Sequence, residues 1–173
     1  MKRSPKKDSR TLATFTYPTK VTVHATEVKL LDSVRHLDLA ALEKAARSEI
    51  EIGEVKTDCC QHLVRAVIRK GMVTELRIAT PAKAESTPVT GDLGRLLKTV
   101  RLKLQKQRKP GSGLPIPVRQ FFGGAVAQVV QTITCWRICL FGWCASCCIN
   151  NDTGHIYCGR VIVDGTNNPF PEP

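Results

Sequence analysis

The chain has 173 residues, 26 Lys+Arg against 15 Asp+Glu, a formal charge of +11, 42% hydrophobic residues and eight cysteines. That apolar content supports a packed core, so wholesale disorder is excluded. Aromatic residues make up only 5%, which argues against a large aromatic-centred catalytic domain.

The charge is not spread evenly. Residues 1–12 carry a net +4, and residues 95–119 hold eight basic side chains and no acid. Everything between and after these blocks is close to balanced. Sulfur is also clustered: Cys59 and Cys60 are adjacent, and the other six cysteines fall between Cys135 and Cys158.

Residues 1–11 read as a solvated basic arm. The start MKRSPKKDSR is followed by no apolar stretch of signal-peptide length, so an intracellular location with reduced cysteines is expected. Residues 12–80 read as a small α+β domain. Phe15–Tyr17 and Val21–Val23 suggest short strands, and 27–37 suggests a short helix. Asp38 is a suitable N-cap for a helix over 39–48. Ile50–Ile52 suggests a strand. Cys60, Leu63, Val64, Val67 and Ile68 recur at helical spacing over 59–70, with Asp58 as cap and Gly71 as the stop. Met72–Ala79 alternates and predicts a half-buried strand.

Residues 81–92 have linker composition. Over 93–109, Leu93, Leu96, Leu97, Val100 and Leu104 form an apolar seam, and the rest of the surface is basic. Residues 110–119, rich in Pro and Gly, end this basic amphipathic helix as a connector. From Gln120 to Asn151 only Arg137 is charged, and the β-branched content favours strands. Residues 144–163 read as a hairpin around the 150–154 turn, inside a Cys-rich β region at 120–165; residues 166–173 form a tail. The fold class expected is therefore α+β: a small N-terminal α+β unit, a basic amphipathic helix and a C-terminal Cys-rich β-hairpin region.

Two constellations carry chemistry. Cys144-x2-Cys147-x7-His155-x2-Cys158 places two ligand pairs on either side of a turn, where a hairpin would close them around tetrahedral zinc. Zinc is the first reading of this spacing; disulfides in an oxidising compartment, with no metal, and buried thiols are the alternatives. Cys135, Cys139 and Cys148 offer further ligands, or a second site with Cys59, Cys60 and His62. The second constellation is the basic helix face: Arg95, Lys98, Arg101, Lys103, Lys106 and Arg108, with Lys109 beyond. Such a row suits the phosphate backbone of nucleic acid, RNA or DNA. It also suits an anionic membrane surface or a protein partner's groove. No aromatic alternates with the basic residues, so a base-stacking platform is not supported. No small-molecule substrate is implied.

Three smaller motifs complete the reading. Trp143-Cys144-Ala145-Ser146-Cys147 resembles the WCxxC of thioredoxin-type oxidoreductases, but the turn that follows leaves no room for the helix that chemistry needs. Asn151-Asp152-Thr153 fits an N-glycosylation acceptor. Gly123-Gly124 is similar to the junction of processed peptide precursors, or marks a β-bulge. No Ser-centred elbow, HExxH or phosphate loop is present. The expected protein is a non-enzymatic nucleic-acid-associated protein with a zinc-held hairpin. The alternative is a structural or interaction protein whose Cys-rich C-terminal segment is disulfide-linked, membrane-associated or processed.

Overall fold

A computed structural model describes residues 11–16, 20–57, 60–79, 91–106, 111–140 and 143–162. The chain is mixed but strand-dominated, with two antiparallel five-stranded sheets and few helices.

The first sheet is built from both ends of the chain. Its strands are β1 (Thr11–Phe15), β2 (Val21–Thr26), β8 (Ile133–Leu140), β9 (Trp143–Asn150) and β10 (Ile156–Ile162), in the order β1-β2-β8-β9-β10. Residues 24–26 of β2 pair with 135–137 of β8, so the N-terminal strands belong to the same sheet as the Cys-rich hairpin. The second sheet is sequential: β3 (Lys29–Leu30), β4 (Arg47–Lys56), β5 (Gln61–Arg69), β6 (Met72–Ala79) and β7 (Ile116–Pro117).

Two apolar layers follow. Between the sheets, Ile52, Val64, Ala66, Ile68, Leu76 and Ile78 meet Ile133, Cys135 and Cys148 from the first sheet. Phe121, Val126, Val129 and Val130 fill the rest of that layer. They come from a helical stretch made of α3 (Val118–Gln120), a π-turn (Phe121–Ala125) and α4 (Val126–Val130). On the other face of the first sheet, Val21, Val23, Trp136, Ile138, Ala145, Cys147 and Ile149 are covered by Leu96 and Val100 of α2 (Gly91–Lys106). A sheet buried on both faces needs apolar residues in both phases of its strands. That is why β8 and β9 fall in the stretch where Arg137 is the one charge.

Several expectations hold. Asp38 caps α1 (Leu39–Lys44), its Oδ1 accepting from the Ala41 N–H at 3.1 Å. The strand at 72–79, the basic helix and the 144–163 hairpin are present, the helix running over Gly91–Lys106. Asp58 and Cys59 lie outside the described residues.

Others are corrected. The helix expected over 59–70 is strand β5. Val64, Ala66 and Ile68 alternate into the core, and Val67 between them is buried as well. A strand with buried residues in both phases of its alternation counterfeits a helical period. Gly71 is accordingly no helix stop: with Lys70 at φ 49° and Gly71 at φ 76°, the pair forms the two-residue turn between β5 and β6. The helix expected over 39–48 ends at Lys44, and 47–56 becomes β4. Gly123-Gly124 is not a β-bulge. It kinks the helical stretch at Gly124, on the surface, where a Cβ would meet nothing within 4 Å.

Candidate functional site

The centre of the first sheet is cross-linked. Cys147 and Cys158 face one another directly across β9 and β10, their Cα atoms 4.1 Å apart, and form a disulfide. Cys135 and Cys148 face one another across β8 and β9, also at 4.1 Å, and form a second. Side chains alternate along a strand, so adjacent Cys147 and Cys148 point to opposite faces. Strand β9 is thereby bonded to β10 on the face covered by α2, and to β8 on the face packed against the second sheet. Both Cys147 and Cys148 are fully buried. Cys139 is also disulfide-bonded, and it stands opposite Cys144 in the β8–β9 register.

This overturns the zinc reading. Of the four expected ligands, Cys147 and Cys158 are bonded to each other, so neither offers a thiolate. His155 is exposed in the turn before β10, and the Cys144 side chain lies outside the described residues. Among the described residues no three His, Cys, Asp or Glu side chains are placed to hold a metal. The expected zinc-containing, nucleic-acid-binding protein is corrected on this ground: the sulfur that was to organise it is oxidised. The WCxxC likeness ends here as well, because residues 143–150 are strand.

A buried polar seam joins the two sheets next to these bonds. His24, Arg137, Ser146 and Gly159 are successive register partners across β2, β8, β9 and β10. From the second sheet, the His62 Nε2 lies 3.0 Å from the Ser146 Oγ, and the Cys60 thiol donates to the Gly159 carbonyl at 3.4 Å. His62 and Ser146 have no solvent exposure. Burial pushes the His62 imidazole below its ordinary 6.5, the Ser146 backbone partly opposing. The Nδ1 of His62 is buried with no hydrogen-bond partner among the described residues. A serine beside a neutral histidine has the outline of a nucleophile and its base. Here no substrate atom can reach the hydroxyl, and the pair serves as a hydrogen bond between sheets. Local sequence pattern carries no sign of this seam; it depends on 59–70 being a strand.

Asn150 makes a second join. Its Nδ2 donates to the Leu76 carbonyl at 2.9 Å, and its Oδ1 accepts from the Asp152 and Thr153 N–H groups at 2.9 and 3.4 Å. The next residue settles the glycosylation motif for the folded chain. Asn151 is buried, and its Nδ2 donates to the Thr134 Oγ1 at 3.1 Å, so it is not available to carry a glycan. Between β6, the 111–114 loop and the β9–β10 turn lies an open cleft of about 380 Å³, with Glu75, Ser112, Asp152 and Thr153 on its walls. The Asp152 carboxylate there is already engaged, accepting from the Gly111 and Ser112 N–H groups at 3.2 and 3.0 Å.

The basic helix presents a different surface. Leu96 and Val100 are buried against the first sheet, while Arg95, Lys98, Lys103 and Lys106 are exposed. The side chain of Arg101, and all of Arg108 and Lys109, lie outside the described residues. Leu102 is 48% exposed in the middle of the basic face. Among the described residues no helix is long and apolar enough to cross a membrane. The apolar run at 120–149 is spent on protein contacts: Val129, Trp136, Ile138, Cys147 and Ile149 are all buried inside the fold. Comparison with known proteins returns no matching family, no similar curated protein and no similar solved structure.

Proposed function

We propose that this chain is a structural or interaction protein that works in an oxidising compartment, its C-terminal sheet braced by disulfides and its basic helix turned to the surroundings. The observation that carries the reading is the covalent bonding of β9 to both of its neighbours. Disulfides form and persist where thiols are not kept reduced, and they are rare in the cytosol. This reading differs from the intracellular location expected from the sequence. The four cysteines are consumed in bracing, and the serine–histidine pair is sealed in the interior, so neither group is offered to a substrate.

The test is the thiol state in the cells that make the protein. Rapid acid quenching followed by alkylation without reductant is expected to leave Cys135, Cys147, Cys148 and Cys158 unlabelled. Labelling of those four under the same quench, with a metal ion retained on the purified chain, would overturn the proposal.

A further inference from the structure

We infer that the outer face of α2 docks on an anionic phospholipid surface, with Leu102 entering the headgroup layer; this rests on the reading of an interaction protein in an oxidising compartment. Arg95, Lys98, Leu102 and Lys106 follow one another at steps of three, four and four residues, and so share a stripe along the helix. All four are exposed. Lys103 is exposed beside them. Leu96 and Val100 hold the opposite side of the helix against the first sheet, at 6% and 1% exposure. The charges are therefore carried by a fixed rod and face away from the protein.

On the second sheet, Arg65 pairs with Glu49 and Glu51 at 3.8 and 3.1 Å, and Arg77 with Glu49 and Glu75 at 3.7 and 2.6 Å. Those two arginines are compensated, while the strands of that sheet together carry six basic and four acidic side chains. Residues 95–119 include no acid of their own, and Arg119 at the end of that block pairs with Glu43 at 2.7 Å. Such a block attracts a polyanion.

Leu102 selects lipid among polyanions. An exposed leucine ringed by lysines gains nothing against a phosphate backbone, whereas at a bilayer interface it leaves water while the ammonium groups stay at the headgroups. No aromatic residue accompanies the basic stripe to stack on bases.

Flotation of the purified, oxidised full-length chain with vesicles tests the assignment. The probes are vesicles of phosphatidylglycerol and phosphatidylcholine, vesicles of phosphatidylcholine alone, and a 20-nucleotide RNA and DNA duplex as competitors. Binding is expected to phosphatidylglycerol vesicles only, and to be lost in high salt. Lys98→Gln and Lys106→Gln are each expected to weaken it about fivefold. Leu102→Ser is expected to weaken it several-fold. These side chains are exposed, and circular dichroism melting should show each variant folded. No binding to the anionic vesicles at low salt, equal binding by Leu102→Ser, or tighter binding to the nucleic acid than to the vesicles would each overturn the inference. None of these outcomes bears on the thiol state, which is measured separately.

Discussion

The His62 Nε2 and the Ser146 Oγ lie 3.0 Å apart across the two sheets, both sealed from solvent. Because burial lowers the imidazole's affinity for protons, the folded state keeps His62 neutral while the unfolded chain takes up a proton near the ordinary value of 6.5. A group whose folded value is depressed contributes stability that is complete above 6.5 and is lost as pH falls below it. Urea unfolding is therefore expected to show falling stability from pH 7.5 to pH 5. The groups facing His62 are Ser146, with Cys60 on its own side and Arg137 and His24 along the partner sheet. A His62→Asn variant should be less stable at pH 7.5 but should lose less on acidification. An equal acid loss in wild type and variant would assign the effect elsewhere. Ser146→Ala, which leaves the buried imidazole without its partner, is expected to cost about 1–3 kcal/mol.

The disulfides close short loops, with sequence separations of 13 for Cys135–Cys148 and 11 for Cys147–Cys158. Loop-closure entropy for such lengths is worth about 2–3 kcal/mol each. Replacing Cys158 and Cys147 together by Ser or Ala should lower the urea midpoint accordingly. The Ala pair should do less harm, since Cys147 is fully buried among apolar groups. Chemical denaturation of the two double variants checks both the size and the order.

How much of this was legible in the sequence depends on how local each feature is. Strand β6, the β9–β10 hairpin and α2 announce themselves through alternation, turn residues and an apolar stripe at helical spacing. Helix 126–130 does not: Val126, Val129 and Val130 carry strong strand preference and are helical because they fill the layer between sheets. Strand β5 fails for the opposite reason, apolar residues in both phases of a strand giving the spacing of a helix. The pairing of β2 with β8 joins residues more than a hundred positions apart and has no local signature. The cysteine spacing was visible, but its chemistry was not. Cys147 and Cys158 suit a metal or a bond equally until the register puts them face to face.

Asn150 should be the most sensitive polar residue of the C-terminal hairpin. It is 4% exposed and joins β6 to the β9–β10 turn through three hydrogen bonds. Asn150→Ala leaves the Leu76 carbonyl and two turn N–H groups without that partner, and is expected to cost about 2–4 kcal/mol. Asn150→Asp should also destabilise, because the carboxylate cannot donate to Leu76. Equilibrium unfolding of the two variants against wild type measures this.

Gly53 tests the packing of the second sheet's edge. A Cβ there would sit 2.9 Å from the Val28 Cγ1 and 3.1 Å from the Lys29 carbonyl oxygen. Gly53→Ala must push β3 away from β4, at a cost of about 1–3 kcal/mol. Truncating Val28 to Ala in the same chain should recover part of the loss, and a double-variant unfolding cycle reads the coupling.

The oxidised sheet is the centre of the account, and peptide mass mapping of the unreduced protein tests it most directly. Digestion is expected to yield species joined through Cys135–Cys148 and Cys147–Cys158, which separate only on reduction. Free thiols at these four positions, together with one zinc held per chain, would contradict it.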